Sequence, residues 1–284
     1  MKTLQRIDEV RQQIGDWKRA GARVALVPTM GNLHEGHLRL VDEAGRRADR
    51  VVVSVFVNPA QFGPGEDYES YPRTLDADRD ALAGRSTDLL FAPPVSEMYP
   101  RDNLAWVEVA ELDRHLCGAG RPGHFRGVCT VVTKLFHIVE PDLACFGEKD
   151  YQQLAILRRM SEDLFFPVEI IGVPTAREED GLAMSSRNRY LADSERSLAP
   201  ELYRHLQDAR QAILDGERDY QGLADRMAAS LDSQGLATEY FTIAETRTLA
   251  PASPESRELV IAAAARLGAT RLIDNIPVTI VQSP

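Results

Sequence analysis

From its N-terminus to about residue 174 the chain alternates between short apolar runs and segments with helical spacing. Runs at 24–27, 51–57, 89–92, 105–109, 143–146 and 168–173 predict strands, and the continuous character of 51–57 suits a strand buried on both faces. Between them, 38–47, 75–82, 128–139 and 151–164 carry apolar residues at three- and four-residue spacing and predict helices. In 128–139 the apolar face is broad, formed by Val128, Val131, Val132, Leu135, Ile138 and Val139. Repeated β–α alternation predicts a parallel sheet with helices on both faces. After about residue 176 the pattern changes. Residues 194–214 and 220–231 predict helices, and 238–243 alternates like a strand. The alanine-rich stretch 259–265 has helical propensity, but a central glycine, Gly268, and a second apolar run at 270–276 favour a hairpin. The chain therefore reads as an α/β protein with a larger parallel-sheet domain over 1–175 and a smaller α+β domain over 176–284.

Length agrees with two domains, since 284 residues are many for one compact core. No apolar stretch is long enough to span a bilayer, and the charged opening residues lack a signal-peptide core. The expectation is a cytoplasmic protein that does not work at a membrane. A net charge of −10 argues against nucleic acid or anionic lipid as partners and requires any phosphate site to gather its cations locally. Three widely spaced cysteines give neither a zinc signature nor a disulfide framework, and Cys145 reads as core.

Chemistry gathers where predicted strands end, which is where open α/β sheets bind ligands. The first strand leads into Pro28-Thr29-Met30-Gly31-Asn32-Leu33-His34-Glu35-Gly36-His37. Two histidines three residues apart at a helix opening join unpaired backbone amides in an anion-directed site. The same spacing also suits zinc, but no third ligand stands nearby. The second strand leads into Asn58-Pro59-Ala60-Gln61, which by itself also reads as a turn. The strand ending at Phe146 leads into Gly147-Glu148-Lys149-Asp150-Tyr151-Gln152-Gln153, and the one ending at Val173 leads into Met184-Ser185-Ser186-Arg187. Lys149 and the 185–187 segment suit phosphate, or alternatively a plain polar surface. In a parallel sheet all four segments reach one edge. Two further segments stay open: 121–127, basic and glycine-rich, fits an anion-ordered loop or a connector at a subunit contact, and Asp76, Asp78 and Asp80 read as a solvated helix face.

With these residues assembled, the chain resembles the pantothenate synthetase (pantoate–β-alanine ligase) family. The segments that carry the resemblance are PTMGNLHEGH, VNPAQF, YPRT, RPGHFRGV, FGEKDYQQL and DGLAMSSRNRYL, in that order. HEGH is similar to the HIGH signature of the wider nucleotidyltransferase superfamily, and MSSRN to its KMSKS counterpart. The resemblance implies ATP-dependent condensation of pantoate with β-alanine through a pantoyl adenylate, giving pantothenate, AMP and pyrophosphate. It implies a Rossmann-type first domain, a second domain that closes over ATP, Mg²⁺, and a homodimer. It places ATP at Met30, Gly31, Asn32, Leu33, His34, Glu35, Gly36 and His37, at Gly147, Glu148, Lys149 and Asp150, at Ala176, and at Met184, Ser185, Ser186 and Arg187. His37 takes the position of the proton donor, with His34, Lys149, Ser185 and Arg187 as its catalytic company. Gln61 and Gln153 hold pantoate, Gln61 also faces β-alanine, and Asn58 lies near the same pocket. The family's magnesium contact falls in the aspartate run, where Ala77 intervenes, so no protein ligand is assigned. Two other classes compete on the histidine motif alone. A nucleotidyltransferase with a phosphorylated acceptor would not need the two glutamines. A non-catalytic nucleotide-binding module would not need Lys149 and both histidines.

Overall fold

The computed structural model describes residues 1–280 of the 284. In chain order the elements are β1 (Lys2–Leu4), α1 (Ile7–Arg19), β2 (Val24–Thr29), α2 (Glu35–Arg47), β3 (Arg50–Val55), α3 (Leu75–Leu82), β4 (Leu89–Phe91), α4 (Val95–Met98), α5 (Leu116–Ala119), α6 (His124–Val139), β5 (Leu143–Gly147), α7 (Tyr151–Asp163) and β6 (Glu169–Val173), then α8 (Asp193–Leu198), α9 (Glu201–Leu214), α10 (Tyr220–Ser233), β7 (Ala237–Glu245), β8 (Glu258–Leu267) and β9 (Thr270–Thr279). They divide into two compact units. The first comprises 1–110, 121–148 and 156–174; the second comprises 111–120, 149–155 and 175–284. The sequence pattern suggests a single boundary at 175/176, and that boundary does not describe the segments 111–120 and 149–155.

The first unit is built on a six-stranded sheet of order β1-β4-β3-β2-β5-β6, parallel throughout. From β2 the chain winds outward through β3 and β4, then returns to place β5 on the other side of β2. That reversal creates a crevice at the carboxyl ends of β2 and β5, the place where open α/β sheets hold ligands. One face of the sheet presents Ala25, Val27, Val51, Val53, Leu90, Leu143 and Cys145 to Leu40, Val41 and Ala44 of α2 and Leu82 of α3. The intervening positions Val24, Leu26, Val52 and Leu89 are as deeply buried, so both faces are covered. This is why the strands read as unbroken apolar runs. Burial also pushes the Cys145 thiol up to about 12, as suits a core position.

Three elements of this unit are missing from the sequence-based reading, β1, α1 and α4: β1 and α4 are only three and four residues long, whereas α1 carries Ile7, Val10, Ile14 and Trp17 at helical spacing and was legible. Conversely, 105–109 belongs to no strand. Its Val107 amide donates to the Thr130 hydroxyl at 3.1 Å instead of entering a ladder. Alternating polarity alone does not make a strand, which also needs a neighbour.

The second unit carries the three-stranded antiparallel sheet β7-β8-β9. The hairpin forms as expected, with Leu267 opposite Thr270. Leu259, Ile261, Ala263 and Ala265 share a core with Leu202, Leu206 and Ile213 of α9 and Leu223 and Leu231 of α10. Ala262 and Ala264 on the other face of β8 are also buried. As the central, doubly covered strand, β8 uses alanine for its small size, and packing overrides helical propensity. The helix expected over 194–214 is two helices, α8 and α9. Pro200 lacks the amide that would continue the first and stands at the start of the second.

Candidate active site

The histidine segment leaves β2 through a left-handed turn, with Gly31 at φ +83° and Asn32 at φ +53°. Gly31 is required twice over. A side chain there would be strained by its φ, and its Cβ would stand 2.8 Å from Asp78 Oδ2 and 3.0 Å from Val55 Cγ1. The turn points the amides of Asn32 and Leu33 at Asp78, whose carboxylate accepts them at 3.1 and 2.7 Å. Asp78 is only 2 % exposed, so the reading of 76–80 as a solvated face is corrected at its central residue. Asp76 does face solvent, paired with Arg79 at 3.0 Å.

The helix begins at Glu35, three residues before the first apolar position of its pattern, because His34 caps it. His34 Nδ1 accepts the Gly36 amide at 3.1 Å, and His37 Nδ1 accepts the His34 amide at 3.3 Å. This is a reciprocal capping box with imidazoles in both roles. The rings lie 4.1 Å apart. Each Nδ1 receives a backbone N–H and so carries no proton, which assigns both neutral rings to the Nε2–H tautomer. Glu35 turns away to an ion pair with Arg85 at 3.0 Å. Gly147 ends β5 with open space at its Cβ position, and Glu148 follows it.

After β3, Asn58 caps a single 3₁₀ turn, Pro59–Gln61. Asn58 and Gln61 are buried and bonded to each other, Asn58 Nδ2 donating to Gln61 Oε1 at 3.0 Å. Gln61 Nε2 reaches Met30 Sδ at 3.2 Å. The basic segment before α6 is also tied down. Arg121 donates to both Glu66 oxygens at 2.6 and 2.8 Å, which holds the Glu66 carboxyl below the usual carboxylate range. His124 Nδ1 donates to the Gln61 carbonyl at 2.7 Å, and Arg121 meets its Nε2 at 3.0 Å. At the same sheet edge a cavity of about 260 Å³ is lined by Met30, Val55, Phe56, Tyr68, Leu75 and Val95, among others.

In the second unit a pocket is lined by Lys149, Ser185, Arg187, Asn188, Arg271 and Asp274, with further apolar residues. It gathers Lys149 with the 185–187 segment, as the sequence suggests. Ser185 Oγ accepts the Arg187 amide at 3.2 Å and caps the 3₁₀ turn Ser186–Tyr190. The Met184 amide bonds to the Ala176 carbonyl at 2.8 Å, joining two expected ATP contacts. Asn275 Nδ2 holds the Lys149 carbonyl at 2.9 Å. Burial pushes the Asp274 carboxyl up, opposed by Arg177, which donates to both its oxygens at 2.6 and 3.0 Å. Asp150 is exposed. Of the two neighbouring glutamines only Gln153 is half-exposed. Gln152 is consumed by the fold, donating to the Leu112 and His115 carbonyls at 2.8 and 2.7 Å and accepting the Gly118 amide at 3.2 Å. The two units thus divide the expected site: the histidines, Met30, Asn58, Gln61, Gly147 and Glu148 belong to the first, and Lys149, Asp150, Gln153, Ala176, Met184, Ser185, Ser186 and Arg187 to the second. Tyr99, whose hydroxyl donates to Asn58 Oδ1 at 2.8 Å, is the residue that sequence reading leaves out, and Asp78 is the one it assigns to the wrong environment.

Comparison with known proteins decides between the candidate chemistries. The sequence pattern of the family described as pantoate–β-alanine ligase matches residues 2–277. The chain belongs to the pantoate–β-alanine ligase family. It is 59 % identical to the pantothenate synthetase of Alcanivorax borkumensis over 283 residues, covering 99 % of each chain. A pantothenate synthetase structure from Thermus thermophilus superposes with a TM-score of 0.91 at 47 % identity, covering 97 % of this chain and 99 % of that one. A pantoate–β-alanine ligase from Francisella tularensis, solved in complex with β,γ-ATP and β-alanine, gives a TM-score of 0.81 at 33 % identity and 97 % coverage of each chain. The enzyme is a ligase that condenses pantoate with β-alanine at the expense of ATP. Among the described residues no helix is long and apolar enough to cross a membrane.

Proposed function

We propose that the reaction runs through a pantoyl adenylate at the sites described above. The observation that supports this most directly is the histidine cap. With both Nδ1 atoms taken by backbone amides, both rings carry their proton on Nε2 and serve as donors at the start of α2. In the first step a pantoate carboxylate oxygen attacks the α-phosphorus of ATP, the bond from that phosphorus to the bridging oxygen breaks, and pyrophosphate leaves. Negative charge grows on the bridging oxygen and the β-phosphate. His37 donates there, assisted by His34, Lys149, Ser185 and Arg187. Fixed donors of this kind are the largest catalytic contribution in many enzymes. Gln61 and Gln153 orient pantoate through neutral hydrogen bonds and leave its carboxylate free to react. In the second step the neutral β-alanine amine attacks the acyl carbon, the bond to AMP breaks, and the amine loses its proton. Positioning carries most of this step.

Two groups in the expected ATP set act through the main chain. The Asn32 and Leu33 amides are occupied by Asp78, so these residues shape the loop around the histidines. Asp78 is buried and bonded to those amides, and among the described residues no three His, Cys, Asp or Glu side chains cluster to hold an ion. The residues present do not build a protein-held metal site. Mg²⁺ would enter as part of the ATP substrate and would offset the charge of the triphosphate. Closing over ATP is the role proposed for the second unit. A cytoplasmic homodimer completes the reading. Leu104, 91 % exposed, and Trp106 lie on the segment 102–109, which forms no strand, and supply an apolar surface for a second copy.

Pantoate-dependent exchange of labelled pyrophosphate into ATP tests the first step, and AMP release on adding β-alanine tests the second. Failure of exchange by folded, active protein removes the adenylate. His37→Ala and Lys149→Ala are each expected to slow single-turnover adenylation by about two orders of magnitude, the scale of one lost preorganised donor. A near-normal rate in both takes them out of the chemistry.

A further inference from the structure

We propose that Asn58 does not touch substrate: held by Tyr99 and the main chain, it sets which end of the Gln61 amide faces pantoate and makes Gln61 a hydrogen-bond donor there. The inference rests on the reading that Gln61 faces pantoate.

Asn58 is 1 % exposed and its polar capacity is taken up within the protein. Its Oδ1 accepts from Tyr99 Oη at 2.8 Å and from the Ala60 amide at 3.3 Å. Its Nδ2 donates to the Gly127 carbonyl at 3.2 Å and to Gln61 Oε1 at 3.0 Å. Two of these four partners are main-chain groups whose polarity cannot change. An amide N–H only donates, and a carbonyl only accepts. Asn58 therefore fits one way round. Turned over, it would set its NH₂ against the Ala60 N–H and its oxygen against the Gly127 carbonyl, leaving buried groups unsatisfied.

With Asn58 fixed, its second N–H can be received only by the Gln61 oxygen. The Gln61 NH₂ is then the other end, 3.2 Å from Met30 Sδ at the carboxyl end of β2. A thioether is a weak acceptor, so this N–H group exchanges readily for a pantoate oxygen. Tyr99 is itself clamped. The Lys134 ammonium lies 3.7 Å from its ring centroid while donating to the Met98 carbonyl and Asn103 Oδ1, both at 2.9 Å. Burial raises the Tyr99 phenol to about 12, which keeps it a donor. The relay runs Lys134, Tyr99, Asn58, Gln61, and its output is a polarity. A ligand that offers only donors at this position, such as the ammonium of an amino analogue of pantoate, is rejected.

The test measures steady-state kinetics and calorimetric pantoate and ATP binding for Tyr99→Phe, Asn58→Asp and Gln61→Ala. Tyr99→Phe removes one donor from a ring still held by Lys134. Its KM for pantoate is expected to rise about five- to tenfold, while KM for ATP and kcat at saturating pantoate stay within about twofold. Asn58→Asp has no N–H for Gln61 or Gly127, so the Gln61 amide turns and presents oxygen to oxygen. Pantoate binding is expected to weaken about 100-fold, with ATP binding retained. Wild-type pantoate affinity in both variants overturns the relay. So does an equal loss of ATP and pantoate, the mark of plain loosening. If Asn58→Asp does not fold, Tyr99→Phe decides alone. Undiminished pantoate binding by Gln61→Ala overturns instead the reading that Gln61 faces pantoate, and a weakened Gln61→Ala beside a normal Tyr99→Phe overturns the relay by itself.

Discussion

Asp78 shows how one buried side chain organises a loop built from main-chain donors. The left-handed pair Gly31 and Asn32 turns two successive amides in one direction, a geometry that receives an anion. In this protein the anion is an internal carboxylate, and the histidine cap is carried on the loop it holds. Asp78→Asn keeps the shape but sets an NH₂ against one of the two amides. A buried donor left without an acceptor costs about 1–3 kcal/mol. The melting temperature is expected to fall and KM for ATP to rise, with KM for β-alanine less affected. Unchanged ATP affinity in a folded variant would show that the loop does not depend on its brace. The histidines are legible in the sequence because their cap is local, spanning residues 34 to 37. Asp78 is not, because its partner amide at Leu33 is 45 residues away in the chain.

At the level of elements, the closest approach near Gln61 is that of α6 to the 3₁₀ turn Pro59–Gln61. A Cβ at Gly127 would stand 2.1 Å from the Ala60 carbonyl oxygen and 2.7 Å from Gln61 Cα. Gly127 also supplies the carbonyl that orients Asn58. Gly127→Ala must therefore push the turn and the helix apart. Overpacking of this kind costs about 1–3 kcal/mol. The expected result is a lower denaturation midpoint together with a raised KM for pantoate, read from urea melts and steady-state kinetics. A stable variant with normal pantoate kinetics would mean the turn relaxes without moving Gln61. Strand and helix identities were legible where local pattern sufficed, as in the apolar run of β2, the helical spacing of α3 and the glycine-centred β8–β9 hairpin. They failed where tertiary partners decide, as at 105–109, which found no neighbour, and where Pro200 divides one expected helix into α8 and α9.

For the whole molecule, the prediction concerns association. Leu104→Asp places a charge on the apolar surface assigned to the second copy. Sedimentation is expected to shift from dimer toward monomer while the monomer's melting behaviour changes little, since the side chain is 91 % exposed. A dimer of unaltered strength would move the contact elsewhere. The sequence by itself determined the α/β class, the parallel first sheet and the family, because each rests on local periodicity or on motifs read along the chain. The tertiary structure alone decided the strand order that opens a crevice between β2 and β5, the assignment of 111–120 and 149–155 to the second unit, and the buried partners of the site. It decided, too, that Asp78 faces inward, that Gln152 is bonded into the fold, and that Asn58 is bonded to Gln61. Those facts depend on which donor meets which acceptor across long chain separations, and hydrogen-bond polarity between distant residues leaves no periodic trace in a sequence.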